Sequence, residues 1–253
     1  MFSQSPYACR MEWGRRGARE AAERGDIIII VDILSFSSTV VSALYFNAVI
    51  YPYPPYVDGK EYAKKVNAEY ILGRAEAAKA GNPTLSPVTF TEEHSNKKYV
   101  LSSLNGAFCT WIGSKAKALF VGSLLNAAAV ASAANRLRLK TKANITVILC
   151  GEQWSSGREE EDTLRPAMED YIGAGAILSY LEGEKSPEAE VCMGAFLQAK
   201  PKLDALIWDS GSGRELRERG FAADVEHCSR LNVYQSVPIL KEDHFVSYNG
   251  ECS

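Results

Sequence analysis

No two of the six cysteines stand closer than 24 residues, and no CxxC pair occurs. A zinc ribbon or finger needs ligand pairs at short spacing, so that reading falls away. The three histidines, His94, His227 and His244, are scattered, and HExxH is missing. GxxxxGKS/T, GxGxxG and GxSxG are missing too, which removes support for P-loop, dinucleotide-binding and serine-hydrolase chemistry. No uninterrupted apolar run exceeds five residues, the length of Ile27–Val31. A helical membrane span needs about 20. Neither charge is in excess: 28 Lys and Arg stand against 31 Asp and Glu, a net charge of -3. Neither nucleic acid nor a membrane is therefore expected as a partner. Residues 1–25 carry arginines and glutamates in place of an apolar signal core, so a cytoplasmic location with free thiols is expected.

What is present is an ordinary globular composition, 46% hydrophobic and 23% charged over 253 residues. That length suits one α/β unit spanning 1–253, and no linker suggests a boundary inside it. Residues 9–24 read as a charged segment of helical character. Ile27–Val31 is a solid β-branched run, as in a strand buried on both faces of a parallel sheet. Further strands are expected at Ala48–Tyr53, Glu69–Gly73, Tyr99–Ser102, Ala118–Val121 and Asn144–Cys150. Helices are expected over Lys60–Asn67, Phe108–Lys115, Asn126 to about Leu137, Ala167–Leu181, Pro187–Leu197, Leu203–Trp208 and Glu215–Arg219. Residues 75–87 and 152–166 read as loops, Ser210–Gly213 as a flexible turn, and the tail from Ala223 to Leu240 as mixed. Strand, small-residue loop and helix recur after Asp32, Ser102, Gly122 and Gly151. The expected fold is α/β, a three-layer α/β/α arrangement around a mostly parallel sheet, with room for two closely packed lobes. Ligands in such sheets bind beyond the C-terminal strand ends.

Asp32 stands at such an end. It can hold Mg²⁺, accept a phosphoryl group or act as a base, or it can simply cap the turn. Leu34 occupies the place of the second Asp in a DxDxT/V phosphatase motif, so that motif is broken. Ser35, Ser37, Ser38 and Thr39 lead into an apolar stretch, as an anion site at a helix start or as ordinary caps. Asn105-Gly106 and Gly122-Ser123 with Asn126 carry the same two readings. Glu169-Asp170 in a first helical turn suits the helix dipole and can also ligate a divalent ion. The run Glu159–Asp162 reads as a solvated loop.

Taken in order, VDIL with STVVSAL, GNPTLSP, SSLNGA, VGSLLNAAAVA, VILCG and MEDYIGAGAI resemble the motifs of the 2-phosphosulfolactate phosphatase family, from about residue 27 to 240. The resemblance implies a Mg²⁺-dependent hydrolase of 2-phospho-3-sulfolactate, acting in sulfolactate metabolism or coenzyme M biosynthesis. It further implies Asp32, Glu169 and Asp170 as catalytic and metal-binding residues. Asn105, Ser123, Asn126 and Gly151 match family positions too, and together with Ser35, Ser37, Ser38, Thr39, Asn82 and Gly106 they are the expected substrate-binding residues. A small anionic phosphoester is the expected partner, and a homodimer is left open. Three departures stand out: Ser35 replaces an Arg, Ala107 replaces a Thr, and Gly73-Arg74-Ala75-Glu76 displaces the acid of a GER segment by one. They keep a second reading open, that of a small-anion-binding protein without catalysis, or of a hydrolase for a different acidic phosphoester.

Overall fold

A computed structural model describes residues 3–53, 58–71, 83–155 and 162–250. In chain order the strands are β1 (Cys9–Trp13), β2 (Ile27–Val31), β3 (Val49–Tyr53), β4 (Glu69–Tyr70), β5 (Lys98–Ser102), β6 (Ala118–Val121), β7 (Ile145–Leu149), β8 (Glu152–Gln153), β9 (Leu164–Arg165), β10 (Pro238–Lys241) and β11 (His244–Ser247). The helices are α1 (Gly14–Glu23), α2 (Phe36–Tyr45), α3 (Gly59–Lys65), α4 (Gly106–Gly113), α5 (Ala127–Thr141), α6 (Met168–Tyr180), α7 (Pro187–Ala199), α8 (Leu203–Trp208), α9 (Gly211–Glu218) and α10 (Ala222–Cys228).

Five consecutive β-branched residues make β2 a strand, because their χ1 restriction suits the pleat and their bulk fills both of its faces. All five are fully buried. Ile27, Ile29 and Val31 join one apolar cluster with α5, α6 and α7. Ile28 and Ile30 join a second with α1, α2 and α4. The alternation of one strand thus defines both helical layers. Each buried Ile contributes about 1.5–3 kcal/mol of transfer free energy. β2 pairs in parallel with β7 on one side and β6 on the other, with Ile27 opposite Ile145 and Ala118.

The sheet runs β1-β7-β2-β6-β10-β11-β3-β5-β4. Its first four strands are parallel to one another, as are its last three. The antiparallel hairpin β10–β11 joins the two sets. The expected three-layer α/β/α fold is what forms. Among the described residues no helix is long and apolar enough to cross a membrane.

Some local readings change. Residues 9–13 form β1, not the start of a helix; Cys9 and Met11 face the core, and Arg10 is buried in an ion pair with Asp26. Ser210–Gly213 is the capped start of α9, with Ser210 Oγ accepting from Gly213 N–H. The mixed tail contains most of α10 and of β10, and the stretch 152–166, expected as a loop, includes the short strands β8 and β9. Residues 73–76, Asn82 and most of Glu159–Asp162 lie outside the described residues.

Candidate active site

The parallel strands of an α/β sheet deliver their following loops to one edge. Here the loops after β2 and β5, the segment after β7, and α9 with its C-terminal end meet around a cavity of about 320 Å³. Its polar wall includes Asp32, Ser35, Asn105, Glu152, Glu215 and Arg219.

Asp32 is held from three sides. Its Oδ1 accepts from Phe36 N–H at 3.2 Å and its Oδ2 from Gly106 N–H at 2.9 Å. Its own N–H donates to Ser37 Oγ, which in turn donates to the Ile30 carbonyl. Gly106 is required by close approach. A Cβ there would stand 2.2 Å from Cδ1 of the buried Phe36 ring, so a side chain would push the N–H away from Asp32. The peptide between Leu34 and Ser35 is cis.

Asp170 is a second buried carboxyl, at the start of α6. Ile33 N–H donates to its Oδ1 at 2.8 Å and Gly151 N–H to its Oδ2 at 2.9 Å. It therefore ties the loop after β2 to the loop after β7. Gly151 has φ +65, a conformation open to glycine. Burial pushes the Asp170 carboxyl well up from its ordinary range, as do the nearby Asp32 and Glu169 charges; the two N–H donors oppose them. Glu169 is 2% exposed.

Glu152 begins β8 just past Gly151. Burial and the Asp32 charge raise its pKa to about 7, against the hydrogen bond that Asn105 Nδ2 donates at 2.9 Å. A folded pKa above the unfolded value means that this group supports the fold below about pH 4.5. Its contribution is lost as pH climbs through about 7. With divalent ions chelated, Glu152→Gln should add about 1–3 kcal/mol at pH 8 and almost nothing at pH 4.5. Urea unfolding at both pH values checks it; equal gains at the two would refute the assignment.

Of the sequence candidates, the cavity gathers Asp32, Ser35 and Asn105 on its wall, with Gly106 directly behind. Ser37, Ser38 and Thr39 are buried inside α2, and Ser38 Oγ donates to the Ile33 carbonyl. Ser123 and Asn126 form a reciprocal cap, Asn126 Oδ1 accepting from Ser123 N–H and Nδ2 donating to the Val121 and Ser236 carbonyls. None of these five lines the cavity; Ser37, Ser38, Ser123 and Asn126 tie backbone groups together, while Thr39 Oγ1 is buried with no hydrogen-bond partner among the described residues. Glu169, Asp170 and Gly151 do not line the cavity, and Ala107 is buried in the core. Sequence reading missed Glu152, Glu215 and Arg219; only Glu152, next to Gly151 at a strand end, carried a positional clue.

Among the described residues no three His, Cys, Asp or Glu side chains are grouped to hold a metal. Mg²⁺ asks for less, since it keeps much of its water and commonly takes one or two protein oxygens plus substrate phosphate. Asn105 Oδ1 is buried with no hydrogen-bond partner among the described residues. Its amide is oriented by the bond to Glu152, so this oxygen is an available hard donor on the wall that also carries the Asp32 carboxylate. The residues present fit such an ion.

The sequence profile of the 2-phosphosulpholactate phosphatase family matches residues 16–243. A probable 2-phosphosulfolactate phosphatase of Pseudothermotoga lettingae is 28% identical over 233 residues, covering 90% of this chain and 95% of that protein. The 2-phosphosulfolactate phosphatase of Methanothermobacter thermautotrophicus is 29% identical over 229 residues, covering 88% and 90%. That of Methanocaldococcus jannaschii is 28% identical over 228 residues, covering 87% and 91%. With residues 16–243 matched, most of its length, the chain belongs to the 2-phosphosulpholactate phosphatase family.

Proposed function

We propose that the chain hydrolyses a small acidic phosphomonoester in the cavity at Asp32, with 2-phosphosulfolactate as the first candidate and Mg²⁺ as its cofactor. The names of the relatives support the substrate class. The observation that carries the reading is Asp32 itself: a carboxylate fixed by two backbone N–H groups at a strand end, facing the same space as Asn105, Glu152 and Arg219.

Asp32 and Asn105 Oδ1 would hold the ion together with the substrate phosphate. When bound, it would set positive charge against the phosphoryl oxygens and acidify water. Glu152, oriented by the Asn105 amide, takes the proton of the attacking water. Leu34, Leu85, Leu104 and Leu216 on the wall lower the local dielectric and strengthen these charge interactions.

Phosphate release from a panel of small phosphoesters tests the reading. Turnover of 2-phosphosulfolactate should appear with Mg²⁺, vanish with EDTA and return on adding Mg²⁺ back. No turnover of any acidic phosphoester sinks it. Ser35, where the family carries Arg, favours one alternative, an anion-binding protein without catalysis; thermal stabilisation by the ester with no phosphate released would select that one.

A further inference from the structure

Three of the four charged side chains on the described cavity wall are acids: Asp32, Glu152 and Glu215. The fourth is Arg219, just past the C-terminal end of α9. A phosphate group entering this space brings its own negative charge, and Ser35 supplies no cation to receive a second one. Asp32 lies on the loop after β2 and Glu152 starts β8, while Arg219 brings its charge to the same cavity from the end of α9. The Arg219 guanidinium bonds Glu215 Oε1 at 3.1 Å, one turn earlier on the same helix, with side chains 54% and 66% exposed. Such an exposed pair is weak and exchangeable, so its guanidinium can be taken over by a better acceptor at little cost.

We propose that Arg219 is the specificity residue of this cavity, receiving an acidic group of the substrate other than its phosphate, a carboxylate or sulfonate, in exchange for Glu215. The inference rests on the phosphatase reading for its substrate class. It gives two parts of the cavity wall different tasks: phosphate at Asp32 and the second acid at Arg219. A guanidinium suits the task, because its planar fork meets carboxylate and sulfonate oxygens two at a time.

The test compares 2-phosphosulfolactate, 2-phospholactate, which lacks the sulfonate, and p-nitrophenyl phosphate, which lacks both further acids. Arg219→Ala should raise KM for 2-phosphosulfolactate at least about tenfold more than KM for p-nitrophenyl phosphate. The loss should fall on KM rather than kcat, and Arg219→Lys should recover part of it. Whether 2-phospholactate follows the first ester or the last tells whether the group bound is carboxylate or sulfonate. Glu215→Gln, which frees the guanidinium, should lower KM for the diacid esters. Equal changes for all three esters overturn the proposal. A calorimetric titration with 3-sulfolactate reads the contact without turnover: tighter binding to wild type than to Arg219→Ala supports it, while equal affinity or no binding to wild type overturns it. Failure of the phosphatase reading shows separately, as wild-type protein that releases no phosphate.

Discussion

Replacing Asp32 with asparagine should lower phosphate release by about 10³-fold or more while leaving the chain folded. The carboxylate is the part of the wall whose position is most completely specified. Phe36 N–H and Gly106 N–H each hold one of its oxygens, and Ser37 holds its backbone. Asparagine keeps the shape and one acceptor, removes the charge, and turns an NH2 group toward one of the two N–H donors. The negative charge that would face a cation is gone, and the side chain must rotate or shift. Folding tolerates the change, because Asp32 also repels Asp170 and Glu152, and losing that repulsion offsets part of the lost hydrogen bond. Steady-state kinetics with Mg²⁺, set beside thermal unfolding of both proteins, checks it. Activity within about tenfold of wild type would remove Asp32 from the chemistry.

How far this site could be read from the chain differs from residue to residue. Ile27–Val31 announced β2, because five β-branched residues in a row suit little besides a strand covered on both faces. Asp32 and Asn105-Gly106 followed from position, each at the end of a strand that could be seen. β1 could not be seen, because Arg10 and Glu12 interrupt it and the burial of Arg10 depends on an ion pair with Asp26, just before β2. The hairpin β10–β11 was hidden for another reason. Its turn is Glu242-Asp243, without the Asn-Gly or Asp-Gly pair that marks a two-residue connection. Glu152 meets Asn105 across 47 residues, and Arg219 reaches the same cavity from still further along the chain. No local pattern encodes such encounters; they follow from the order of the strands. Ser37, Ser38, Ser123 and Asn126 show the reverse case. Their residue types suit anion binding and local hydrogen bonding equally; Ser123 and Asn126 form a cap after β6, while Ser37 and Ser38 donate to the Ile30 and Ile33 carbonyls.

Asp170 separates two physical accounts of the acidic cluster, and its variants should answer with large and opposite-signed effects under the two. If like-charge repulsion dominates, neutralising Asp170 relieves Asp32 and Glu169 and stabilises the protein. If hydrogen bonding dominates, the same change leaves the buried N–H groups of Ile33 and Gly151 short of acceptors. Each orphaned buried donor costs about 1–3 kcal/mol, and the repulsion recovered is partial because Asp32 keeps its own two N–H partners. Asp170→Ala should therefore destabilise by about 2–4 kcal/mol, roughly 4–16 °C for a chain of this length. Asp170→Asn is the sharper variant. It keeps the shape and discards the charge, yet it offers one acceptor to two donors and sets an NH2 group against the other N–H. It should be destabilised nearly as much as the alanine variant. Because Ile33 directly follows Asp32, both variants should lose activity as well, by loosening the loop that aims the carboxylate. Urea unfolding of the three proteins, with phosphate release measured below the transition, decides between the accounts. An Asp170→Asn protein as stable as wild type, or more so, would mean that Asp170 is kept for its charge and that the two loops are joined by something else.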